Sequence, residues 1–216
     1  MPSPALSRLE ISTELDRMFN MPSKTFIEHN RTVIFAREKL ICNLVSASVI
    51  EKPKLGVWMI LIPIFFVFYF WQLSRYSQGR KDFADNFLLS REQALNCAYK
   101  AAIENTEPDV DDLLKAIDLP EQATKKYCEW ITFLAAHYLQ LLKARGDSYT
   151  DLVRASYEHK KALMNFYQNL NIAEKNFIAS VTATLNVEKT EGKEIVSRIE
   201  EALARERKKE INEIFP

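Results

Sequence analysis

Between Phe26 and Val49 apolar residues return as pairs about every seven positions: Phe26/Ile27, Val33/Ile34, Leu40/Ile41 and Val45/Val49. That period builds one apolar face on a helix. The helix is expected to start at Ser23 or Thr25, where Thr25-Phe-Ile-Glu28 has the form of a capping box, and to end at Glu51-Lys52-Pro53. A shorter helix is expected over residues 5–18. The face formed by Phe26, Ile27, Val33, Ile34, Leu40 and Ile41 is read as a surface for pairing with a partner helix, with packing against the protein's own second domain or a membrane surface as the plainer alternative.

The pattern then changes. From Leu55 to Ser74 the chain carries no charge, and Leu55–Leu73 is long enough as a helix to cover a bilayer's hydrocarbon, roughly 30 Å. Trp58 lies near one edge, and Tyr69 and Trp71 near the other. Phe66 and Pro63 lie within the run, and Lys52, Lys54, Arg75, Arg80 and Lys81 flank it. The segment is therefore read as a membrane anchor comprising Leu55, Trp58, Pro63, Phe66, Tyr69, Trp71 and Leu73. Pro63 allows two geometries: a bent crossing helix, or a helix that breaks and re-enters on the same side. Crossing is expected, because the run matches the bilayer and no polar residue accompanies the proline.

Beyond the anchor the 3.6-residue period dominates. Helical stretches are expected over 80–89, from Ser90-Arg-Glu-Gln93 (read as a second capping box) to Ile103, over 110–117, and from Pro120 to Ala144. Further stretches follow over 149–170, 171–185 and 193–215. Residues 105–109 and Gly146-Asp147-Ser148 read as breaks. The fold class is all-α. The expected division is residues 1–54 as an N-terminal helical segment, 55–73 as a transmembrane helix and 74–216 as a C-terminal bundle.

Composition and charge narrow the function classes. Four glycines and eight prolines in 216 residues suit helices, and 29 basic against 29 acidic side chains give no electrostatic case for nucleic acid. Basic residues number four on each side of the anchor, over 35–54 and 74–93, so the positive-inside rule does not orient it. Cys42, Cys97 and Cys128 are dispersed, which suits a reducing compartment. Asn30-Arg31-Thr32 matches a glycosylation sequon but lies inside a helical pattern.

No catalytic, cofactor-binding or metal-ligating set emerges. The adjacent pairs Glu28-His29 and Glu158-His159 point about 100° apart on a helix, so they cannot converge on one metal. His137, between Leu134 and Leu141, reads as a hydrogen-bonded core histidine. Asp109, Asp111 and Asp112 suit a helix N-terminus. Arg205-Glu-Arg207-Lys208-Lys209-Glu210 reads as a solvated helix face. No enzyme and no cofactor are expected.

The strings EKPKLGVWMILIPIFFVFYFWQLSRYSQGRKDFADNF (51–87), ARGDSYTDLVRASY (144–157) and EIFP (213–216) resemble an uncharacterised family of bacterial single-span helical membrane proteins. The resemblance implies an inner-membrane setting and carries no functional residue with it. The resulting expectation is a membrane-anchored interaction protein, such as a scaffold, assembly factor or accessory subunit. Its partners would be membrane lipid and a protein or a second copy, its larger domain cytoplasmic. The alternative is a monotopic membrane-surface enzyme or lipid-binding module with its apolar helix broken at Pro63.

Overall fold

The computed structural model describes residues 23–49, 79–115, 119–184 and 191–216. The protein is all-α. Its elements are α1 (Lys24–Val49), α2 (Gly79–Glu104), α3 (Asp111–Lys115), α4 (Glu121–Lys143), α5 (Tyr149–Tyr157), α6 (Lys160–Thr184) and α7 (Glu191–Ile214). The helix expected over 5–18 and the expected anchor Leu55–Leu73 lie outside the described residues. Among the described residues no helix is long and apolar enough to cross a membrane.

Side-chain pairings fix the helix directions. Tyr99 Oη donates to Glu28 at 3.1 Å, Arg31 Nη2 donates to Asn96 at 2.7 Å, and Arg91 Nε lies 3.0 Å from Glu38. As one number rises the other falls, so α1 and α2 are antiparallel. Tyr127 Oη donates to Gln93 at 3.3 Å and Lys143 Nζ to Asn105 at 3.4 Å, so α2 and α4 run parallel. The parallel pair needs a return connection, which α3 supplies. Asp109 accepts from the Asp111 amide at 2.9 Å to cap α3, while Leu113 and Leu114 pack on the core.

Helix α6 is antiparallel to α4: Trp130 stacks on Phe177 at 5.5 Å and His137 on Phe166 at 4.3 Å. Helix α7 is antiparallel to α6, joined by Lys175–Glu200 at 2.9 Å and by Tyr167 donating to Glu210. These directions bring Val49, Gly79, Glu121, Thr184 and Glu191 to one end of the bundle. The other end holds Lys24, Glu104, Lys143 and Ile214.

One apolar core joins the helices. It runs from Ile27, Ile34 and Val45 of α1 through Leu95, Trp130, Tyr138 and Leu142 to Phe177, Ile199 and Ile214. The α1 residues thus belong to the same core as described residues between Phe87 and Ile214, which follow the uncharged run in the sequence. The Asn30 side chain, wholly buried, strengthens this join. Its Nδ2 donates to the carbonyls of Leu141, Leu142 and Ala144 at 3.3, 3.0 and 2.9 Å, meeting the unsatisfied end of α4. A side chain so placed has no room for a glycan, which settles the sequon.

Several boundaries differ from the sequence expectation. Ser23, not Thr25, caps α1, accepting from the Phe26 amide at 3.3 Å. Ser90 is buried in mid-helix rather than at an N-cap, because α2 already starts at Gly79. Helix α6 continues through Leu170-Asn171. The break falls earlier, at Glu158, which takes φ 50° and ψ −39° at the end of α5. The turn before α5 falls as expected. Ser148 accepts from the Asp151 amide at 3.2 Å, and Gly146 packs so closely that an added Cβ would lie 2.5 Å from Asp151 Cβ.

Candidate functional site

Charged residues placed in an apolar register fold inward. Arg91 follows Phe87 by four positions and precedes Leu95 by four; Glu174 likewise lies between Leu170 and Phe177-Ile178; Arg207 follows Leu203 by four, with Glu210 one turn further. All four are buried, as is Glu38 of α1. Isolated charges in such a core would be very costly, so they must meet.

They meet around Glu174. Its Oε1 accepts from Arg91 Nη2 at 3.0 Å, Trp130 Nε1 at 3.2 Å and Arg207 Nη2 at 3.1 Å. Its Oε2 accepts from Arg207 Nη1 at 2.8 Å. Arg207 Nη1 also donates to Asn171. The Arg91 guanidinium stacks over the Phe87 ring, 4.0 Å from its centroid. Five helices thus contribute to one cluster: α1 through Glu38, α2 through Arg91, α4 through Trp130, α6 through Glu174 and α7 through Arg207.

A second group lies toward the opposite end. Arg37 donates to Glu210 Oε2 through Nε at 3.1 Å and Nη2 at 2.6 Å, while Tyr149 at 3.3 Å and Tyr167 donate to Oε1. Arg154 Nε reaches the Ile214 carbonyl at 2.9 Å and fixes the end of α7.

Electrostatics divide the two core carboxyls. Burial pushes Glu38 above the ordinary carboxyl value, and Arg91 only partly opposes it. Burial acts the same way on Glu174, but the Arg207 and Arg91 guanidiniums, with hydrogen bonds from Arg207 and Trp130, outweigh it and hold Glu174 below that value. Burial, with Arg207 adding to it, lowers His137 to about 3. Its Nδ1 lies 2.6 Å from Tyr157 Oη, in keeping with a hydrogen-bonded core histidine. Burial raises Tyr149 and Tyr167 well above their usual value, with Glu210 adding to the effect.

Above this cluster lies an apolar groove of about 560 Å³ between α6 and α7, floored by Phe87, Trp130 and Phe177. The acidic and basic atoms at its floor are already engaged with one another. Their arrangement braces helices. Among the described residues no group of His, Cys, Asp or Glu could hold a metal ion.

The candidate partner face divides. Ile27 and Ile34 are buried by the chain's own helices, Phe26, Val33 and Ile41 pack partly against the same core, and Leu40 is 48 % exposed. The apolar pairs drift around α1 because seven residues fall short of two full turns. His29 and His159 are exposed and lie apart from the charge cluster. The string 205–210, expected to be a solvated helix face, instead sends Arg207 and Glu210 into the core. The placement of Arg91, Glu174 and Arg207 four residues from buried leucines and phenylalanines was the available signal.

Comparison with protein-family models, with curated proteins and with solved structures gives no match.

Proposed function

We propose that this is a monotopic membrane protein, a helical module held on one face of a bilayer by Leu55–Leu73 and serving there in lipid contact and protein interaction. The observation that carries the reading is the antiparallel packing of α1 on α2 in one core. A chain that crossed the bilayer once between them would leave the two helices on opposite sides, so the Arg91–Glu38 and Arg31–Asn96 contacts favour entry and return on one side. From the Glu38–Arg91 pair, α1 runs eleven residues to Val49 and α2 lies twelve residues beyond Gly79. At about 1.5 Å per residue both ends reach a similar level.

Several sequence features agree with entry and return on one side. The stretches before and after Pro63, 55–62 and 64–73, would span about 12 and 15 Å as helices, or one leaflet of a hydrocarbon layer about 30 Å thick. Trp58 lies five residues before Pro63, and Tyr69 and Trp71 six and eight residues after it, so a chain folded back at Pro63 would bring aromatic rings of both arms toward one interface. A break in lipid strands backbone groups, and proline lessens that cost by having no N–H. Basic residues on both flanks cease to conflict when both flanks share one side. That side is the cytoplasmic face of an inner membrane under the positive-inside rule.

The second reading is a scaffold that pairs with another helix. Leu40 and Leu44, one turn apart and both exposed on α1, favour it. Attachment is tested by washing membranes with carbonate and with 1 M salt. Apolar insertion keeps the protein in the pellet, because it does not depend on ionic strength. Release by salt alone contradicts the proposal.

A further inference from the structure

We propose that the groove between α6 and α7 takes a single lipid acyl chain, a reading that rests on the membrane attachment above and gives it a ligand. The volume, about 560 Å³, lies within the range of about 300–1,000 Å³ typical of small-molecule pockets. Its walls are Phe87, Trp130, Phe177, Ile178, Ile199 and Leu203.

The floor selects against a polar ligand. Both oxygens of Glu174 are taken up by Arg91, Trp130 and Arg207, and the Asn171 oxygen accepts from Arg207. A ligand donor brought to these oxygens would have to compete with the Arg91, Arg207 and Trp130 donors already there, at the cost of its own hydration. A hydrocarbon chain loses nothing of the kind. Polar groups occur at the rim, where Lys175 pairs with Glu200 at 2.9 Å beside Glu201 and Gln168. A polar head could stay there in water.

Position points to lipid as the source of that chain. Phe87 is eight residues from the start of α2, Ile178 six from the end of α6, and Ile199 eight from the start of α7. At about 1.5 Å per residue, all three lie within roughly 12 Å of the bundle end that holds Val49 and Gly79, the described residues on either side of the uncharged run in the sequence. The groove therefore lies toward the end of the bundle that, on the membrane reading, is nearest the bilayer.

The test uses Trp130 as the reporter. In the full chain carrying W58F and W71F, Trp130 is the sole tryptophan; the protein is held in amphipol and titrated with monomeric 9,10-dibromostearate. Bromine in contact with the ring should at least halve the emission at saturation. Ala204 is exposed on the groove lining. Ala204→Phe should fill the space and weaken the half-saturating concentration tenfold or more, with an unchanged melting temperature. Saturable quenching that A204F abolishes supports the groove. Absent quenching, or quenching that A204F leaves unchanged, overturns it. Flotation of the same protein with phosphatidylcholine vesicles reads attachment separately. Loss of flotation with quenching intact contradicts only the membrane reading; flotation without quenching contradicts only the groove.

Discussion

Arg207 grips Glu174 with two parallel hydrogen bonds, Nη1 to Oε2 at 2.8 Å and Nη2 to Oε1 at 3.1 Å, inside the core of the bundle. The planar fork matches the carboxylate in a way that an ammonium cannot. Because Arg91 binds the same carboxylate, Glu174 ties α2 to α6 and α7 at one point.

Removing that point should be costly. Glu174→Ala leaves two buried guanidiniums without their shared partner, and a loss of about 3–5 kcal/mol is expected. Arg207→Lys keeps the charge and loses the fork, so a smaller loss is expected. Urea denaturation of both variants checks the order, and an E174A loss below that of R207K contradicts it.

His137 should make the fold acid-sensitive. Its pKa lies near 3 in the fold and near 6.5 when the chain is unfolded, so the unfolded chain binds the proton first as pH falls. Stability present above about pH 6.5 should be lost on acidification by about 1.4 kcal/mol per pH unit from this group, until pH approaches 3. His137→Phe, although less stable at neutral pH, should show a shallower acid slope between pH 6.5 and 4. Equal slopes in parent and variant would exclude His137 as the cause.

Glu38 has the opposite sign. Its carboxyl is raised in the fold, so the folded state holds the proton longer, and stability falls as pH rises from the ordinary carboxyl value through the raised one. Glu38→Gln stays neutral throughout. Relative to the parent it should gain stability across that window. A difference that does not change with pH would contradict the assignment.

The α1 face gives a paired test. Ile34 is wholly buried and Leu40 is 48 % exposed. Ile34→Asp should cost several kcal/mol, about 3–5, because it buries an unpaired charge and leaves a void. Leu40→Asp should stay within about 0.5 kcal/mol. Thermal melts of the two single variants separate them, and equal losses would mean that α1 does not sit in the bundle as described.

Much of the fold was readable from the sequence. The apolar face of α4, from Tyr127 through Trp130/Ile131, Leu134 and Tyr138 to Leu141/Leu142, is buried as its spacing predicts. Local grammar failed where tertiary contacts override it. Ser90-Arg-Glu-Gln93 has the letters of a cap, yet Ser90 lies on the inner face of an established helix. The break at Glu158-His159 contains no glycine or proline to announce it. The cluster around Glu174 was hidden for another reason. Its members lie on separate helices as distant as Glu38 and Arg207, and only the packing of α1 against α2, α4 and α7, with α6 packed on α4 and α7, brings them together.

That packing is also the basis of the membrane reading, so the most direct measurement asks whether α1 and α7 face the same compartment. In a C42S/C97S/C128S background, His29→Cys on α1 and Lys208→Cys on α7 place single thiols at exposed positions. Sealed membrane vesicles of each orientation are treated with a membrane-impermeant maleimide, with lysed vesicles as the control for reactivity. The account predicts that both positions label in one orientation and both are protected in the other. Labelling of one position with protection of the other in the same vesicles would contradict it, because the chain would then cross between them.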